Sequence, residues 1–292
     1  MYELIQAGEK TFYINSPSKV GFYKLDEKKV CLIDSGNDRE AGRKIHQILA
    51  QNNWNLAMII NTHHHSDHVG GNKFLQKKYS CKVFSTKINN FFIENQDFNS
   101  AFLYGGFTSK EFQDKLFLAD LSDASELIES ELPDGLELIM LDGHSLSMIG
   151  IKTSDDVWFL ADLLISEVII KKYPIFFLYD VKTYLNSLAK VEKLTGNLFV
   201  LSHAKPLNDI KPLVEVHRNK VYEIIENIRK ICEKPSCFDD ILKQMLDIYS
   251  IPIDCSQYIL IGSTIRSYLS YMCTEKILEI VFQDNYLLWK TI

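Results

Sequence analysis

The run Thr62-His63-His64-His65-Ser66-Asp67-His68 constrains this chain more than any other stretch, because it gathers four imidazoles and a carboxylate within seven residues. Imidazole and carboxylate are the donors that zinc and other borderline divalent ions prefer. An apolar, strand-like segment (Met58, Ile59, Ile60) leads into the run, and a helical pattern carrying Val69, Phe74 and Leu75 follows it. Side chains two apart on an extended chain share a face, so His63 and His65 can grip one ion together. Asp67 and His68 then fall where the chain turns into the helix, placed to face a second ion. His64 is expected to point away from both neighbours, toward packing or a supporting contact. A polar surface loop is the competing reading, and it needs five costly groups to gather by chance.

The sequence around the run is that of a layered α/β (α+β) protein. Tyr2–Ile5 and Thr11–Ile14 flank a turn at Gly8-Glu9, and Val20–Leu25 and Val30–Ile33 flank the polar Asp26–Lys29 turn. A helical pattern with Ile45, Ile48 and Leu49 follows from Asp38 to Gln51. A helix to about Tyr79 and a strand at Lys82–Phe84 come after the histidine run. Strand signals return at Leu136–Leu141, Ser147–Thr153 and Val157–Leu160, then a helix at Lys182–Leu194 and a strand at Leu198–Leu201. Strands followed by helices, twice over, predict two β layers with helices outside them.

Two regions break this pattern. Residues 88–130 are rich in aromatics (Phe91, Phe92, Phe98, Phe102, Phe117) and show no strand period, so they read as a helical insertion with its own small core, or as a cap over a cleft or a dimer contact. Residues 206–292 turn to long helices: Val214–Cys232, a second opened by a capping box of Ser236 and Asp239, and a third from about Ser256 to Met272, loosened at Gly262. A hairpin follows, with a turn at Asp284-Asn285. Three helices and a hairpin outline a winged helix. From Asp209 onward, however, ten Lys/Arg stand against twelve Asp/Glu, whereas a DNA reader needs a basic face. A lid or a homodimer contact fits this region better. The division expected is a domain at 1–205 and a second at 206–292.

The net charge of −6 gives no pull toward nucleic acid or an anionic membrane. Six scattered cysteines without a CxxC pair suit a reducing compartment, with Cys31 and Cys273 read as small core residues. No basic and apolar leader opens the chain, and no run approaches a membrane span, so the expectation is a cytoplasmic protein with no membrane partner.

One cluster cannot hold two ions alone. His144 follows a strand in a glycine-bearing turn, Asp162 follows Trp158–Ala161, and His203 follows the strand ending at Leu201. Donors on loops at strand ends are rigidly placed yet open to substrate. His46 and His217 sit within helical patterns and read as structural.

These elements, in this order, resemble the metallo-β-lactamase fold superfamily: Thr62–His68, Gly143-His144, Ala161-Asp162 and Ser202-His203, with Asp34 after Val30–Ile33 matching a first, largely structural motif. The resemblance spans roughly residues 1–205 and implies an αββα sandwich with a dinuclear centre along one sheet edge. It implies that His63, His65 and His144 hold one metal, that Asp67, His68 and His203 hold the second, and that Asp162 bridges both. Beyond it, Ser202-His203, Asp209 and His217–Lys220 are similar to bacterial hydrolase-like members with a C-terminal winged-helix domain, a layout shared with the mitochondrial β-lactamase-like endoribonuclease. The substrate residues of glyoxalase II's helical domain are not recognisable in 206–292. The chain is also too short for the nuclease insertion of the β-CASP group.

The chemistry expected of such a site is hydrolysis of a small-molecule ester, thioester, lactone or phosphodiester. Two divalent ions, zinc first and iron or manganese next, would acidify a shared water to a bridging hydroxide and stabilise the charge that develops. Asp67 would hold the second ion and orient the hydroxide's proton, while Asp34 would fix a ligand histidine from outside. Two alternatives remain: a metal-dependent endoribonuclease or nucleic-acid-binding protein, and an iron-dependent, non-hydrolytic oxidoreductase. Against the second, the chain has no flavodoxin-like half. Substrate choice is expected to lie with the aromatic insertion, Tyr173–Tyr179 and the C-terminal helices.

Overall fold

Strand alternation sets the layers of this molecule. The computed structural model describes residues 2–113 and 117–292. Among them, one sheet takes β1 (Glu3–Gln6), β2 (Thr11–Asn15), β3 (Val20–Lys24), β4 (Lys29–Ile33), β5 (Asn55–Ile60), β6 (Lys82–Ser85) and β7 (Ser125–Glu126) in sequence order. It is antiparallel from β1 to β4 and parallel from β4 to β7. In β4, Val30 and Leu32 face α1 (Arg39–Gln51) through Ile45, Ile48 and Leu49. Cys31 and Ile33 face the opposite way and meet the second sheet. That period of two is why Val30 to Ile33 are all apolar: both faces of the strand are covered there.

Helices α2 (Ser66–Val69) and α3 (Asn72–Tyr79) precede β6, and Leu75 of α3 joins α1 in the outer core. Helices α4 (Lys87–Glu94) and α5 (Asp97–Tyr104) follow it. The second sheet has the order β11-β10-β9-β8, from β8 (Leu136–Met140), β9 (Ile149–Thr153), β10 (Val157–Phe159) and β11 (Leu198–Val200). Ile149, Ile151, Val157, Phe159 and Val200 pack between the sheets against Ile33, Ile60 and Phe84. Trp158 and Phe199 point outward to α7 (Val181–Val191), which with α6 (Glu167–Lys172) makes the crossover from β10 to β11. The αββα sandwich expected from the sequence is therefore present.

Helices α8 (Lys211–Ile231), α9 (Phe238–Tyr249) and α10 (Cys255–Thr274) lead to a hairpin of β12 (Leu278–Gln283) and β13 (Tyr286–Thr291). Val214, Ile224, Ile241, Met245, Ile265 and Leu269 share one apolar cluster with Trp158, Tyr184 and Leu188 on the outer side of the second sheet. Each fully buried side chain of this kind contributes about 2 kcal/mol. No helix among the described residues is long and apolar enough to cross a membrane.

Several local expectations need correction. Helix α10 runs unbroken through Gly262, because Ile259, Ile261, Ile265, Tyr268 and Leu269 anchor it on both sides of the glycine. The cap of α9 is Cys237, not Ser236, whose hydroxyl donates to the carbonyls of Ile231 and Lys234. Helix α8 starts at Lys211 because Pro212 suits a first turn, where its missing N–H is not needed. Cys273 is only half-buried. The 88–130 stretch is not wholly helical: it contains β7, too short to show a period. Three of its residues, 114–116, lie outside the described residues.

His217 shows how α8 is tied to the sheet. Its Nδ1 donates to the Leu213 carbonyl at 2.8 Å and its Nε2 accepts from Ile165 N at 3.0 Å, which leaves the ring neutral and satisfied. Burial lowers its pKa from 6.5 to about 4. The unfolded chain therefore takes the proton first as pH falls. The stability from neutral His217 is complete above pH 6.5 and is lost as pH drops toward 4. The interval corresponds to roughly 3 kcal/mol. In urea titrations of metal-free protein, the wild type should lose about that much more stability between these limits than His217→Gln does. Equal losses would contradict this role for the ring.

Candidate metal centre

Four chain segments end at one edge of the sandwich, and a few hydrogen bonds lock them together. After β5, Asn61 N donates to Phe84 O, and Asn61 Nδ2 donates to His68 O at 3.0 Å, closing the histidine run onto itself. The Ile149 N–H donates to Thr62 O at 3.0 Å and so ties the run to the second sheet. Ser35 N donates to His68 O, and Ser202 N to Ala161 O. Two non-glycine residues at these strand ends take positive φ: Asp34 at 65° and Ala161 at 50°, each beside or within the cluster. Such conformations cost energy and persist where the surroundings over-determine them.

Gly143 has φ 120°, and a Cβ there would lie 2.3 Å from Tyr184 N. Its carbonyl accepts from Tyr179 N and Asp180 N, so the turn that presents His144 is pressed directly against the start of α7. Gly143→Ala should destabilise the protein by about 2 kcal/mol or more and weaken metal retention through His144. Urea unfolding and metal analysis of the purified variant check this. Wild-type values in both would remove the close approach from the account.

The seven residues singled out as donors converge. Ligand atoms of His63, His65, His144 and Asp162 lie within 4.8 Å of one another, and so do those of Asp67, His68, Asp162 and His203. Asp162 belongs to both groups. Its Oδ1 is 3.1 Å from His68 Nε2, and its Oδ2 is 3.2 Å from His203 Nε2 and 3.6 Å from His144 Nε2. Asp67 Oδ2 lies 3.0 Å from His203 Nε2 and 3.4 Å from His68 Nε2. His63 Nε2, His68 Nε2 and Asp162 Oδ1 are buried without a hydrogen-bond partner, His68 and Asp162 being close but off the bonding direction. Buried polar atoms are seldom left so, and a divalent cation fits this donor set.

The chain also decides which nitrogen four of the rings present, whereas His65 Nδ1 lies 3.1 Å from His144 Nε2. His68 Nδ1 donates to Asp34 Oδ2 at 2.8 Å, His144 Nδ1 to Phe177 O at 3.2 Å and His203 Nδ1 to Pro17 O at 3.0 Å. Thr62 Oγ1 donates to Asp34 Oδ2, so its oxygen accepts from His63 Nδ1 at 3.1 Å. Each bond fixes the tautomer of the neutral ring and turns Nε2 toward the cluster, where it can serve as a donor once unprotonated. Asp34 has no ligand position. It accepts from Thr62 N, Thr62 Oγ1 and His68 Nδ1, the outside support expected of it. The backbone carbonyls of Pro17 and Phe177 carried no sequence signal, since any residue supplies one. Thr62 belongs to the histidine run, and nothing in the sequence alone marks its hydroxyl for this contact.

Electrostatics divide the two groups. Burial, then neighbouring His68, hold His63 well below its ordinary value. Burial and His144 do the same to His65, and burial lowers His144. In the second group burial opposes charge, yet Asp67, Asp162 and Asp34 push His68 well upward, and chiefly Asp162 raises His203 to about 10. Asp67 and Asp162 stay ionised despite burial, held down by His68 and His203. The first group thus offers neutral imidazoles. In the second, protons occupy the positions that a cation would take.

His64 stands outside both groups. Its Nδ1 meets Asn89 Oδ1 at 2.9 Å and its ring stacks on Phe92 at 4.4 Å. His46 bonds through Nδ1 to Tyr79 Oη. Both are supporting residues, as read from the sequence.

A layered αββα fold with paired His/Asp donor groups at one edge defines the class, and the family model of the Metallo-beta-lactamase superfamily matches residues 15–203. The chain belongs to this superfamily. A hydroxyacylglutathione hydrolase from Pelagibacter ubique (strain HTCC1062) is 42% identical over 57 residues, which are 20% of this chain and 22% of that protein. The chain thus spans about a fifth of the length of that curated relative. Two solved structures match nearly end to end. A beta-lactamase domain protein from Burkholderia ambifaria has a TM-score of 0.76 at 17% identity, over 99% of this chain and 94% of that one. A metallo-beta-lactamase family protein from Thermus thermophilus has a TM-score of 0.71 at 15% identity, over 99% and 98%. At these identities the likeness is one of fold, and it includes the C-terminal helices.

Proposed function

We propose that this protein is a hydrolase dependent on two divalent metal ions, zinc in the first instance, acting on an ester, thioester, lactone or phosphodiester. The observation that carries this reading is Asp162, one buried carboxylate common to two four-donor groups. His63, His65 and His144 would hold one ion, Asp67, His68 and His203 the other, and Asp162 would bridge them. Bound ions would supply Lewis acidity toward the substrate oxygen and a water that ionises near neutral pH. Asp67 is more open than Asp162, its side chain 28% exposed against 8%. It is therefore the carboxylate placed to take a proton from attacking water at the mouth. Asp34 and Thr62 keep His68 and His63 in one tautomer while that proton moves. The resemblance of a short segment to hydroxyacylglutathione hydrolases supports a thioester among the substrates. We read the C-terminal helices as a lid, since Leu260 of α10 lines the cavity beside His65 and His144.

The test uses purified protein stripped by chelation and reloaded with zinc, manganese or iron. Turnover of p-nitrophenyl esters, an acyl thioester or bis-p-nitrophenyl phosphate should vanish with the metal and return with about two equivalents. No hydrolysis of any of these by fully loaded protein, or oxygen consumption by an iron form with visible absorption, would overturn the proposal.

A further inference from the structure

The first donor group is flanked by a cavity of about 120 Å³ whose wall includes the rings of His65 and His144. The three regions expected to choose the substrate all reach it: Phe102 and Phe117 from the insertion, Phe177 and Tyr179 from the segment before α7, and Leu260 from α10. Phe177 stands edge-on to His65 and to His144, 5.6 Å from each ring centre. Phe102 lies 5.5 Å from Tyr179, and both rings line the cavity. Among the described residues, no Lys, Arg, Asp or Glu lines this space.

Resting on the hydrolytic reading above, we infer that the substrate carries an uncharged, largely apolar group of about one phenyl ring or a four-to-six-carbon chain beside the bond that is cleaved, seated in this cavity. The volume is near that of the roughly 150 Å³ apolar cavities that hold benzene. A carboxylate or ammonium placed there would lose its hydration and meet no counter-charge, so charged substituents are excluded. A single neutral hydrogen-bonding group is tolerated. Asn99 Oδ1 and Ser145 Oγ are buried without partners on residues that line the cavity. The group lies beside His65 and His144, so the bond to be broken falls within reach of the donor cluster. Binding energy from the remote group is then available to orient that bond.

Two measurements separate this inference from the hydrolytic reading. Titration of metal-free protein with benzyl alcohol, followed by NMR, should show saturable binding, with benzoate and benzylammonium at least tenfold weaker. Leu260→Trp and, independently, Phe102→Trp should abolish benzyl alcohol binding. With zinc-loaded protein, kcat/KM for p-nitrophenyl esters should rise about fourfold per methylene from acetyl toward hexanoyl, and succinyl should fall below butyryl at least tenfold. The tryptophan variants should move the optimum back to acetyl. Benzoate bound as well as benzyl alcohol, or a flat ester series, would overturn the inference while leaving hydrolysis standing. Selective probe binding with no ester, thioester or phosphodiester turned over would overturn the hydrolytic reading instead.

Discussion

Asp162→Ala is expected to leave a folded protein that has lost most of its metal and on the order of a thousandfold or more of its turnover. That factor corresponds to about 4 kcal/mol of transition-state stabilisation. Asp162 Oδ1 and Oδ2 reach His68, His203 and His144 within 3.1 to 3.6 Å, so truncation removes one donor from each group at once. It also removes a negative charge common to both groups, which weakens the attraction of each for a cation. His144→Ala should cost metal and activity as well, through the first group alone. His64→Asn offers the contrast: a ring bonded to Asn89 and stacked on Phe92 is no donor, so metal content should stay at the wild-type value. Elemental analysis beside steady-state kinetics reads all three variants. Full metal and full activity in Asp162→Ala would remove the shared carboxylate from the mechanism.

The second large effect is expected at Asp34, which is not itself a donor in either group. Its carboxylate accepts from Thr62 N at 2.7 Å, Thr62 Oγ1 at 2.8 Å and His68 Nδ1 at 2.8 Å, all buried. Asp34→Ala leaves these donors unmet and places alanine at φ 65°, so a stability loss of about 3–5 kcal/mol is expected. Asp34→Asn separates the causes. Asparagine tolerates positive φ and retains a carbonyl oxygen, but its amide must face one of the three donors. That variant should keep most of its stability, yet bind metal about 10–100-fold more weakly because His68 is no longer held in one tautomer. Metal affinity by competition with a chelating dye, beside urea unfolding, distinguishes the two. Wild-type affinity in Asp34→Asn would reduce Asp34 to a purely structural residue.

The convergence of donors was legible because each sits at the end of an apolar strand. His63 to His68 follow β5, His144 follows β8, Asp162 follows β10 and His203 follows β11. Buried strands announce themselves by composition, and their ends have few places to go in a layered fold. What holds those donors was less legible. The carbonyls of Pro17 and Phe177 orient two histidines, yet backbone atoms carry no residue signature. Local punctuation misled in two places. Gly262 suggested a loosened helix and Ser236 a cap, but tertiary burial of Ile261 and Ile265 and the Ser236–Trp289 bridge decided both. The aromatic insertion showed in sequence only as a compositional excess. Its contribution to a cavity wall depends on contacts with Tyr179 and α10 that no local period encodes.

Calorimetric titration of the metal-stripped protein with zinc tests most directly whether one carboxylate joins two metal positions. Two equivalents per chain are expected. Binding at the second group should release protons into the buffer, because His68 and His203 hold them when no cation is present, His203 up to about pH 10. Affinity at that group should therefore rise with pH, and Asp162→Ala should weaken both binding events. Saturation at a single equivalent without proton release, unchanged in Asp162→Ala, would contradict the shared role of Asp162.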